Sequence, residues 1–154
     1  MKINLTLATV KDAELIWKMQ VKSFAQLLEK YQDFDTSPAN EPIEKVIWRI
    51  EQEDSYFYII EADDKKVGAI RIIDRKDGTA KRISPLFVLP EFHNKGIAQK
   101  TIIEVEKIHG DTNWELDTIL QEKGNCYLYE KMGYHTTGQT EKINGKLTLV
   151  FYVK

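Results

Sequence analysis

Residues 91–99 read EFHNKGIAQ, between the apolar run SPLFVLP (84–90) and the periodic stretch KTIIEVEKIHG (100–110). The pattern is a strand, a short polar segment with one glycine, then a helix. Helix N-termini attract anions, because their first backbone N–H groups lack partners and the macrodipole favours negative charge there. Taken alone, the segment is equally a plain strand-to-helix turn in which Gly96 lets the chain bend. The rest of the chain decides between the two.

At 154 residues, 42% hydrophobic and 30% charged, the expectation is a single domain over 1–154 with a substantial core. The apolar runs are too short for a transmembrane helix, and the opening MKINLTLATVKDAEL has no apolar signal-peptide region. A cytoplasmic protein with no membrane partner is expected. Cys126 is the only cysteine, which excludes an intramolecular disulfide and a cysteine-rich metal site, and no metal is expected. With 24 acids against 22 bases and a net charge of −2, nucleic acid is a poor candidate as main partner. The basic cluster RKDGTAKR (75–82) reads as a solvated hairpin.

INLTLA (3–8) alternates and leads into a capping-box pattern at Thr9–Asp12. Ala13, Trp17, Val21, Phe24 and Leu28 then recur at helical spacing, predicting an amphipathic helix over 10–30. YQDFDTSPANEP (31–42) reads as a loop and IEKVIWRIEQE (43–53) as a second helix. SYFYIIEA, KVGAIRIID and AKRISPLFVLP are three strands separated by turns. Ala98, Ile102, Val105 and Ile108 mark a helix face, with Gly110 as its stop. NWELDTIL is a strand, and GNCYLYEKM a short helix closed by Gly133. YHTTGQTEKI and KLTLVFYVK pair across Asn144–Gly145. The order β-α-α-β-β-β-α-β-α-β-β is a mixed α/β domain, with strands four and five parallel because a helix joins them. Pro85 inside strand four indicates an edge or a bulge, and a bulge would free backbone groups of Leu86 to Val88.

This order, with VLPEFHNKGIA in the middle and LYEKMGY near the end, resembles the GNAT superfamily of acyl-CoA N-acyltransferases across nearly the whole chain. The family's acyl-CoA loop, Gln/Arg-x-x-Gly-x-Gly/Ala, corresponds to His93-Asn94-Lys95-Gly96-Ile97-Ala98, with histidine in place of the opening Gln/Arg. The family's Tyr-Glu-Lys-x-Gly-Phe/Tyr ending corresponds to Tyr129-Glu130-Lys131-Met132-Gly133-Tyr134. The resemblance implies a twisted mixed sheet whose strands four and five splay around acetyl-CoA as co-substrate. N–H groups of Asn94, Lys95, Gly96, Ile97, Ala98 and Gln99 would surround the coenzyme A pyrophosphate. Pantetheine would run along Leu86, Phe87 and Val88, with the Val88 N–H as oxyanion donor.

The implied reaction is transfer of an acetyl group to a primary amine by direct attack through a tetrahedral intermediate. Tyr129 matches the family's general acid for the leaving thiolate; a ring packed on the core is the alternative. Asn125, one turn earlier, is either a cofactor contact or a helix cap. Cys126 reads as a small buried residue. The family's strand-four glutamate is replaced by Arg82, so Asp117 stands in as the base, with Glu115 expected on the opposite face; a solvated carboxylate is the alternative. His93 and His135 are candidates for proton transfer by residue type alone, and single histidines are more often structural or exposed. Glu29, Asp33, Asp35, Glu41 and Glu44, beside Tyr31 and Phe34, suit a cationic small-molecule or peptide amine, or are simply solvated. A homodimer is compatible with all of this. The rival reading is an acyl-CoA-binding regulatory module with the fold but little turnover.

Overall fold

The computed structural model describes residues 1–154. Its elements follow the expected order: β1 (Ile3–Leu7), α1 (Ala13–Tyr31), α2 (Ile43–Glu51), β2 (Ser55–Ala62), β3 (Lys65–Ile73), β4 (Lys81–Val88), α3 (Ile97–His109), β5 (Trp114–Ile119), α4 (Lys123–Lys131), β6 (His135–Lys142) and β7 (Thr148–Val153). The strands make one seven-stranded sheet ordered β1-β2-β3-β4-β5-β7-β6. Only β4 and β5 run parallel. Helices cover both faces. Ile16, Met19 and Val46 of α1 and α2 pack on Phe57, Ile59, Ala69 and Phe87; Ile102 and Val105 of α3 and Cys126 and Tyr129 of α4 pack on the other face with Ile70, Ile72 and Leu116.

The helices differ in detail from their sequence patterns. A 3-10 turn over Val10–Asp12 precedes α1, and Asp12 accepts the Thr9 N–H at 2.8 Å. The buried stripe of α1 is Ala13, Ile16, Met19 and Gln20, while Trp17 and Phe24 of the expected stripe are half-buried on its flank. The helix packs against α2 and the 32–42 loop as well as the sheet, so its apolar arc is broad and its centre sits to one side. In α3 the expected Ile108 is exposed and His109 is buried in its place. His109 Nδ1 lies 2.8 Å from Asp74 Oδ2 and its Nε2 2.9 Å from the Tyr58 hydroxyl, so a polar network closes that end of the core. The β6–β7 hairpin forms, but its connection is longer than a two-residue turn: Asn144 Oδ1 accepts the N–H groups of Lys146 and Leu147.

Two irregularities shape the centre of the sheet. Opposite β4, Ile70 pairs with Leu86 and Ile72 with Ile83, so Arg71 alone faces Ser84 and Pro85. Pro85 therefore occupies a bulge of an inner strand rather than an edge, where its missing N–H breaks no ladder bond. Parallel pairing of β4 with β5 is limited to Lys81–Trp114 and Arg82–Glu115. Beyond Arg82 the strands diverge. It is this divergence, rather than the bulge, that bares one edge of Leu86–Val88, since all three still pair with β3 on the other edge.

Candidate active site

The divergence of β4 and β5 opens a cleft of about 720 Å³, lined along one wall by Ser84 to Val88 and along the other by Asp117 to Ile119. Strand alternation sets what β4 offers. The Leu89 N–H donates to Val67 O at 2.8 Å, so residues of that parity point to β3. Leu86 and Val88 then direct their N–H groups into the cleft, and Phe87 does not. The Val88 carbonyl shares that edge and accepts from His93 Nε2 at 2.7 Å. The histidine at the opening of the glycine loop thus bolts the loop to the end of β4.

The head of α3 forms the cleft's far end. The first helical bond is from Lys100 N–H to Gly96 O at 3.1 Å, and no side chain caps the helix. Asn94, Lys95, Gly96, Ile97, Ala98 and Gln99 make no N–H bond within the protein. Asn94 (φ 61°) and Gly96 (φ 76°) both hold left-handed backbone, which turns successive N–H groups toward one side. A Cβ added at Gly96 would meet nothing within 4 Å, so the space beside this glycine is open. An array of this kind suits a phosphate group. All of these residues except Lys95 line the cleft; the Lys95 ammonium lies 5.8 Å from the Phe92 ring centre.

Tyr129 comes from the last turn of α4 and lines the same cleft. It is 8% exposed, with its ring edge-on to Tyr134 at 5.7 Å. Burial, and then the charge of Asp117, hold its phenol well above the usual tyrosine range. It stays protonated at neutral pH. Asn125 lines the cleft from the first turn of α4. Cys126 is buried, its thiol 3.8 Å from the Ile119 and Leu120 carbonyls. His135 is exposed on β6.

Asp117 faces the cleft in an ion pair with Arg82. Glu115 was expected on the opposite face of β5, but residues two apart share a face: its carboxylate lies 4.0 Å from the same guanidinium. The acids of the 29–44 segment do not act together either. Only Asp33 and Glu41 line the cleft, and Glu41 is held by both Nη atoms of Arg49 at 2.7 Å with Gln20 Nε2 at 3.0 Å. Glu29, Asp35 and Glu44 are exposed. Of the neighbouring aromatics, Phe34 is exposed, and Tyr31 is buried with its hydroxyl donating to Glu122 at 2.5 Å. The sequence offered one hint of the Gln20–Glu41–Arg49 cluster, an amide on the apolar side of α1.

Comparisons with known proteins agree with this geometry. The chain superposes on the PaiA N-acetyltransferase from Thermoplasma acidophilum, solved in complex with coenzyme A, with a TM-score of 0.77, 18% identity and 98% of each chain covered. It also superposes on the spermidine N-acetyltransferase from Vibrio cholerae in complex with CoA and spermine (TM-score 0.76, 16% identity, 97% and 93% covered). A third similar structure is the microcin C7 self-immunity acetyltransferase MccE in complex with acetyl-CoA and AMP (TM-score 0.73, 20% identity, 98% and 91% covered). At these identities the structures show a shared fold. No curated protein matches the chain in sequence. The family model for the acetyltransferase (GNAT) domain, however, matches residues 18–152, nearly the whole chain, and the protein therefore belongs to the GNAT acetyltransferase family.

Proposed function

We propose that the protein is an N-acetyltransferase, a single domain that moves the acetyl group of acetyl-CoA to a primary amine. The observation that carries this reading is the continuity of one cleft. It runs from the unpartnered N–H row of Asn94–Gln99, along the bare edge of β4, to Tyr129. The row fits a pyrophosphate and the edge fits an extended amide chain. The acetyl thioester supplies the acyl group. The Val88 N–H would polarise its carbonyl and hold the oxyanion of the tetrahedral intermediate formed by direct attack of the amine. Asp117 would take the acceptor's proton, directly or through water, and Tyr129 would donate to the departing sulfur. A phenol raised above about 10 is a weaker acid than a thiol near 8.5, so Tyr129 serves chiefly as a fixed, always-loaded donor. Asn125 would contact the cofactor.

The test is thiol release from acetyl-CoA across a panel of primary amines, beside calorimetry of acetyl-CoA binding. Amine-dependent release is expected. Binding without release for any amine would instead indicate an acyl-CoA-binding regulatory module.

A further inference from the structure

The acceptor end of the cleft is not the acidic funnel that a polycation would need. Six charged side chains line the cleft, Asp33, Glu41 and Asp117 against Arg49, Arg82 and Lys131. Two of the three acids are already matched by guanidinium groups, Glu41 by Arg49 and Asp117 by Arg82.

The Arg82–Asp117 pair differs from Glu41–Arg49 in what it leaves over. Arg49 spends both Nη atoms on the two oxygens of Glu41, and those side chains are 14% and 19% exposed. Arg82 uses Nη2 on Asp117 Oδ2, while its Nη1 sits 4.0 Å from Glu115, too far for a hydrogen bond. A guanidinium has five N–H donors, so Arg82 keeps several for a ligand, and Asp117 Oδ1 has no partner in the protein. The two side chains are 30% and 25% exposed, open to a ligand yet shielded enough for charge to count. They lie where β4 and β5 part, in the cleft that also holds Tyr129 and the edge of Val88.

The geometry points to a zwitterionic acceptor: a small free amino acid whose carboxylate is taken by Arg82 and whose ammonium is taken by Asp117 Oδ1. The inference rests on the acetyl-transfer reading for its meaning and adds the substrate class. A positive and a negative group side by side complement a ligand with the opposite arrangement. They gain nothing from a ligand of uniform charge, because the attraction of one partner is cancelled by repulsion from the other. Binding in this way leaves the amino nitrogen on the Asp117 carboxylate inside the cleft, the group that takes its proton in the acetyl-transfer reading.

The experiment measures binding, so that it does not depend on turnover. The coenzyme A-saturated protein is titrated calorimetrically with glycine, alanine and glutamate, with the matched amines lacking the α-carboxylate, and with spermidine. At least one amino acid should bind at least tenfold more tightly than its decarboxylated counterpart and than spermidine. Arg82→Gln should erase that margin and Arg82→Lys restore part of it, with coenzyme A affinity retained in both. Amines or spermidine binding as tightly as the amino acids, a margin that survives Arg82→Gln, or no acceptor binding at all would overturn the inference. Selective binding without thiol release would leave recognition standing and sink the acetyl-transfer reading. Release with polyamines alone would do the reverse.

Discussion

Gly68→Ala is a one-carbon change at a residue that does not itself line the cleft, yet it should damage both stability and the site. Gly68 sits on β3 directly opposite Val88. A Cβ there would lie 2.1 Å from Phe87 O and 2.9 Å from Val88 Cα, both backbone atoms that no rotamer change can move. Real Cβ contacts essentially never fall under 3.0 Å, so β4 must retreat by 0.9 Å or more at Phe87. Overpacking of this kind costs roughly 1–3 kcal/mol, about 2–12 °C in Tm for a domain of this size. The functional loss should exceed the stability loss. The displaced segment carries the Val88 N–H, and in the oxyanion-donor role proposed for it a misplacement of about 1 Å would cost on the order of 10²-fold in rate. Thermal unfolding with steady-state thiol release on the folded variant reads both quantities. A variant with wild-type Tm and wild-type kcat would refute the close approach and, with it, the argument that Gly68 sets the position of β4.

Three further outcomes follow from the site. Gly96→Ala places a side chain on left-handed backbone (φ 76°) and should lower stability by roughly 1 kcal/mol; because the strain falls within the unpartnered N–H row, acetyl-CoA affinity measured by calorimetry should fall with it. Tyr129→Phe should lower kcat by about 10²-fold at unchanged acetyl-CoA affinity, and an unaltered kcat where chemistry limits turnover would leave the ring a packing role only. The phenols of Tyr129, Tyr134 and Tyr152 are all raised, first by burial and then by Asp117 for Tyr129, by Glu106 for Tyr134 and by the bond to Glu130 for Tyr152. Above about pH 10 the unfolded chain therefore releases protons that the folded chain retains, and stability should decline as pH rises from there. Urea midpoints across that range check the sign, and a flat profile would contradict it.

Local signals were enough to order the elements of this chain. Helical and alternating periodicities repeat within single segments, and the left-handed positions at Gly96, Gly110 and Gly133 are properties of one turn each. For the same reason His93–Ala98 and Tyr129–Tyr134 could be read as motifs: each is one continuous stretch of backbone whose geometry is set by its own residues. What the sequence left open concerns pairs brought together from afar. Arg82 meets Asp117 across the fork of β4 and β5, Tyr31 bonds Glu122 from 91 positions away, and Glu41 is neutralised by Arg49 and hydrogen-bonded by Gln20. No periodicity records such partners, because a carboxylate looks the same in sequence whether it is solvated or ion-paired. The order of the elements and the unpartnered N–H row at the head of α3 were therefore legible from the amino-acid order, since they depend on local backbone, whereas the parting of β4 and β5 that opens the cleft was not. The charge of the acceptor half is decided by which side chains the packed sheet brings within a few ångströms of one another, and only the tertiary structure supplies that.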